Sequence, residues 1–94
     1  MTGTGEADIT FPAHPGSNEA SVTVAAPGVT AETHVEAWVM GNDSTTKHTA
    51  ADHRYFAMLC ALTCAPGTDE FTIHGRSEHK LSGAFRVHYV WANG

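Results

Sequence analysis

Four stretches of this chain repeat with a period of two, and that period restricts the fold more than any other feature of the sequence. In EASVTVAA, Val22 and Val24 alternate with Ser21 and Thr23. In HVEAWVM, Val35, Ala37 and Val39 oppose His34, Glu36, Trp38 and Met40. EFTIHGRSE sets Phe71 and Ile73 against Thr72 and His74, and AFRVHYVWA sets Phe85, Val87, Tyr89 and Trp91 against Arg86, His88 and Val90. Successive side chains of a strand point to opposite faces, so each stretch reads as a strand with one apolar face. The last two are expected to pair as a hairpin around HKLSG.

YFAMLCALTC is apolar without a clear period, and a strand buried on both faces accounts for it, with APGTDE supplying the turn that follows. ADITF reads as a short edge strand, and PAHPGSN as a loop. The first six residues, MTGTGE, are expected to form a flexible segment or to be held by a partner. One short helical crossover fits between the third and fourth strands, where Ser44 or Asp43 can cap a turn or two through TTKHTAAD. The expected fold is all-β: a small antiparallel β-sandwich or jelly-roll-like barrel of about six strands, with one domain over residues 1–94.

With 94 residues, such a domain buries roughly 60 to 65% of its unfolded surface. One modest core is therefore expected. Hydrophobic residues make up 41% and charged residues 16%, which argues against disorder. The formal net charge is -5 and the five basic residues are scattered, so no nucleic-acid partner is expected. No apolar run approaches the roughly 20 residues of a membrane-spanning helix, and MTGTGEADIT lacks the basic start and apolar middle of a secretory signal. Cytoplasmic synthesis and no membrane partner follow as expectations.

Cys60 and Cys64 match neither a zinc-ribbon pair nor a C-x-x-C redox motif. On one strand they would lie ~13 Å apart, beyond the roughly 7 Å Cα separation that a disulfide tolerates. On a helix they would meet. Buried free thiols are the favoured reading.

The stretch STTKHTAADHRYF concentrates the chemistry-bearing residues. If it is helical, His48 and Asp52 share a face at i,i+4, and His88 from the last strand is available as a third metal ligand. His53 is rotated by ~140° from His48 and points elsewhere. The plainer reading is that His48 pairs with Asp52 or a carbonyl and fixes the loop. No G-x-S-x-G elbow and no phosphate-binding loop is found, so no catalytic residue is assigned and no enzyme or cofactor is expected. Trp38, on the polar side of its strand with Met40, reads as a subunit contact, with stacking on a sugar as the alternative. His53 and Arg54 are expected to add a pH-dependent contact between subunits.

Taken together, GEADITF, PGSNEASVTV, HVEAWVMGND, TTKHTAADHRYF, EFTIHGRSE and LSGAFRVHYVWA resemble small proteins encoded among the structural genes of tailed bacteriophages. The likeness covers nearly the whole chain. Its pattern is a G-x-A-x-x-x-F opening, an amphipathic strand ending near Met-Gly, a T-x-x-H-x-x-x-D/E-H crossover, an F-T-I strand and a closing L-x-G-x-F-x-V-x-x-V-W-A. The resemblance implies a virion component of the tail, neck or head-decoration apparatus, made in the bacterial host cytoplasm. It also implies a homo-oligomer, for which a trimer is the first expectation by analogy with phage fibres, bound to other virion proteins. A tip module that binds a host surface glycan is the alternative, and a histidine-rich metal protein the second alternative. Lys47 departs from the pattern, standing where an acidic residue is expected before His48, which weakens a metal role for the crossover. Unpaired edge strands and surplus apolar surface would both be hidden by packing copies together.

Overall fold

The alternating rows meet as the inner faces of two three-stranded antiparallel sheets. A computed structural model of the chain describes residues 2–13, 15–40, 44–45 and 48–93. In chain order the elements are β1 (Thr2–Phe11), β2 (Ser17–Ala25), β3 (His34–Trp38), α1 (Ala50–Leu59), β4 (Cys60–Pro66), β5 (Glu70–Leu81) and β6 (Gly83–Ala92). One sheet has the order β1-β6-β3 and the other β2-β5-β4. The architecture is the all-β sandwich with one short helix that the periodicity demands. At its two margins β1 runs beside β2 and β3 beside β4, so the sheets bring edge strand to edge strand as a flattened barrel does.

Between the sheets lie Ile9 and Phe11 of β1, Phe71 and Ile73 of β5, and Phe85, Val87 and Trp91 of β6, all buried. Val22, Val24, Val35, Ala37, Leu62 and Tyr89 pack against them. Each fully buried Phe or Ile contributes about 1.5–3 kcal/mol relative to an exposed one. Every inward position assigned from the alternation therefore points inward.

The strand partners differ from expectation at one place. β5 and β6 do not form a hairpin: β5 pairs with β2 and β4, and β6 with β1 and β3. The link through Ser82 carries the chain from one sheet to the other, and Gly83 takes φ 83°, where a side chain would be strained. The hairpin is instead β4–β5, with Pro66 opposite Phe71 around the expected turn. Asp69 sits there at φ 57°, and its carboxylate accepts from the Gly28 N–H at 3.0 Å.

Three further expectations need correction. Residues 55–64 are not one strand, because the helix runs to Leu59 and the strand starts at Cys60. Ala50–Leu59 contains no Gly, Pro or β-branched residue, which suits a helix interior. The helix also begins later than expected, at an N-cap formed by Thr49 and not by Ser44, while Asp43 and Lys47 lie outside the described residues. Lastly, Thr2–Glu6 belong to β1, paired with His88–Ala92, and are not a loose segment. Their glycines have a packing role: a Cβ on Gly3 would fall inside the Trp91 indole, and one on Gly5 against the Tyr89 phenol ring. The two aromatic rings lie over the bare backbone of their cross-strand partners.

Candidate functional site

Thr45 and residues 48–56 are organised around an unfinished edge. β3 stops at Trp38, opposite His88, so among the described residues the earlier part of β6 has β1 on one side and no strand on the other. Main-chain groups left there without partners would each cost of the order of a lost hydrogen bond. Side chains of the crossover supply them. His48 Nε2 donates to the Ser82 carbonyl at 2.6 Å, and Thr45 Oγ1 donates to the Ala84 carbonyl at 2.7 Å. The Arg86 N–H donates to His53 Nε2 at 2.8 Å. Three side chains thus continue the ladder that β3 abandons.

The rings are held from below by aromatic packing. Phe85 stacks on Phe56 at 4.3 Å and on His48 at 3.8 Å, and meets His53 and Phe11 edge-on at 5.4 and 6.0 Å. His53 is fully buried. Because its Nε2 accepts from a main-chain N–H, Nδ1 carries the proton that goes to the Thr49 carbonyl at 2.9 Å. Helix α1 therefore seats on the sandwich through His53 and Phe56, one turn apart.

Asp52 joins the crossover to the helix. Thr49 Oγ1 accepts from the Asp52 N–H at 3.3 Å while Asp52 Oδ2 accepts from the Thr49 N–H at 3.1 Å, a reciprocal capping box. The same Oδ2 faces His48 Nδ1 at 3.1 Å. The Thr49 main-chain N–H first, and His48 second, hold the Asp52 carboxyl below its ordinary value of 3.8. A depressed carboxyl adds stability that is complete above the ordinary value and is lost as pH falls through the lower folded one. The stability gap between wild type and Asp52→Asn, measured by urea unfolding, is expected to persist at neutral pH and to close as pH falls below 3.8. A gap independent of pH would count against this role.

The residues singled out by sequence separate into two groups. His48 and Asp52 come together, but His88 lies with Glu6, at 3.8 Å, and stacks beside Trp38 with ring centroids 6.2 Å apart. Among the described residues no group of three His, Cys, Asp or Glu is arranged to hold a metal ion. Arg86 pairs with Asp8 at 3.2 Å and Glu6 at 3.8 Å, so the outer face of β1-β6-β3 carries a row running from Trp38 through His88 and Glu6 to Arg86 and Asp8. Trp38 and Met40 are exposed, at 39% and 43%. Arg54 is exposed on the helix, whereas His53 is interior and cannot form the intersubunit contact expected of it. Sequence reasoning missed Tyr55 and Met58, exposed at 64% and 82%, because it placed both in a buried strand.

Cys60 and Cys64 are free and half-buried on the inner side of β4. Burial pushes both thiols up, with Glu36 adding to the effect at Cys64. They behave as small core side chains, not as nucleophiles. Comparison with family models, curated proteins and solved structures returns no match to this chain.

Proposed function

We propose that this protein is a structural β-domain of a tailed-phage particle that assembles with its own copies and binds another virion protein. The resemblance of its sequence pattern to phage structural proteins supports the origin. The observation that carries an interaction role is the set of large apolar side chains left in water: Trp38, Met40, Tyr55, Met58 and Val90. Aromatic and Met side chains of this kind are typical interface anchors. The crossover supports the same reading, since its histidines and Asp52 are engaged in main-chain repair and helix capping. Their chemistry serves the scaffold and leaves the surface to do the binding.

Light scattering of the purified chain at micromolar concentration is expected to give an oligomeric mass, with a trimer as the first expectation. Trp38→Ala combined with Met40→Ala should weaken self-association by at least about tenfold, as loss of interface anchors does. A monomer at every concentration would overturn the assembly role. A second reading, a glycan-binding tip, draws on Trp38 lying beside the polar row of His88, Glu6, Arg86 and Asp8. A glycan array in which Trp38→Ala abolishes specific hits would favour it over self-assembly, and an array without such hits would remove it.

A further inference from the structure

We infer that the outer face of the β2-β5-β4 sheet is a two-fold contact between copies of this chain, in which β5 stacks antiparallel on β5 and Arg76 of each copy meets Glu70 of the other. The face is built by the side chains that alternate with the core rows. Ser21 and Thr23 of β2, His74 of β5, and Thr63 and Ala65 of β4 are exposed on it. Apart from His74, its middle holds nothing larger than threonine, and Thr23 and Thr72 share a hydrogen bond across the strands at 3.1 Å. Long side chains stand at its two ends: Glu70 at one, and at the other Arg76, with Glu19 3.1 Å away.

The register decides which stacking the charges allow. Val22, Ile73 and Cys64 lie side by side across the sheet, at the midpoint of the face. A two-fold axis along that row, in the plane between two copies, sets each β5 residue over the one equally far on the other side of Ile73. Arg76 then lies over Glu70, His74 over Thr72, Ser21 over Thr23 and Thr63 over Ala65, and no pair joins like charges. The other face-to-face two-fold, parallel to the strands, lays Arg76 on Arg76 and Glu70 on Glu70, and both pairs oppose it. Around Arg76 the face sinks into a hollow of about 540 Å³, lined also by Glu19, Ser21, Thr63 and His74, and Glu70 of the second copy enters it. The guanidinium has five donors, enough to serve Glu19 on its own sheet and Glu70 across the contact. A patch three strands wide and seven residues long covers roughly 300 Å², so the contact is a weak one by itself. Copies gathered through Trp38 and Met40 would form it at a high effective concentration. The inference rests on the proposed self-assembly in needing a second copy, but it uses the opposite sheet from Trp38.

The test is analytical sedimentation of the full chain over a concentration series up to about 1 mM, with variants at these exposed positions. Glu70→Arg and Arg76→Glu should each weaken dimerisation by about tenfold, since each sets two like-charged pairs face to face. An equimolar mixture of the two variants should recover the wild-type constant to within about threefold, because in the mixed dimer every arginine again meets a glutamate. That recovery also shows that both variants are folded. Trp38→Ala combined with Met40→Ala should leave this charge-dependent dimer in place. Association that survives both charge variants but fails in the Trp38 and Met40 variant would overturn this contact and leave the assembly role standing. Charge variants that weaken association with no recovery on mixing would also overturn it. A monomer throughout the series would overturn the contact and the assembly role together.

Discussion

Phe85→Ala is expected to lower stability by about 3–5 kcal/mol, the range for removing a buried aromatic ring from a core. Phe85 is 3% exposed and is the shared neighbour of Phe11, Phe56, His48 and His53. Its removal opens a void and also withdraws the surface on which both histidines rest. The crossover should loosen before the sandwich does, so Arg86 amide exchange should accelerate even under conditions in which the strands remain intact. Phe85→Leu, which refills part of the volume, should recover about half of the loss. Urea unfolding measures both. A cost under about 1 kcal/mol for the alanine variant would show that the cluster is not the anchor of this end of the fold.

His53→Leu is expected to cost about 2 kcal/mol although it conserves much of the apolar volume, because the Arg86 N–H then has no acceptor in a buried place. The Thr49 carbonyl is hurt less, since it also accepts from the His53 main-chain N–H at 3.1 Å. His53→Gln should cost less than the leucine variant, as its amide oxygen can reach the position of Nε2. Equal losses for the two would indicate that size, not the hydrogen bond, selects histidine. The comparison separates packing from polar satisfaction at a single position.

Much of the sandwich was legible because alternation is a property of one strand by itself. Val22, Val35, Phe71 and Phe85 declare an inward face without reference to any partner. Pairing is a different matter. Both sheets offer the same alternating rows, so nothing in EFTIHGRSE or AFRVHYVWA tells whether they lie side by side or face to face. Their true relation depends on Gly83, one residue whose positive φ turns the chain between layers. The helix was missed in part because its buried side is only His53 and Phe56, while Tyr55 and Met58 are apolar but exposed. A helical stripe is faint under those circumstances. No Gly or Pro separates Leu59 from Cys60, and the chain passes straight into extended geometry at φ -111° and ψ 126°. The pairing of His48 with Asp52 was foreseen, but the need it serves, a strand ending early at Trp38, is visible only in three dimensions.

The pairing of β1 with β6 sets a timetable for the newborn chain. Thr2 meets Ala92, and each following step joins residues almost as remote. During synthesis the first strand has to wait, unpaired, until the sixth has emerged, and its glycines stay bare until the indole and phenol that roof them arrive. Contacts spanning such separations slow folding, because the long intervening loop must close before they form. Translation that stalls ahead of Gly83 would therefore leave an orphaned β1, a ready substrate for proteases or for mispairing with a sister chain.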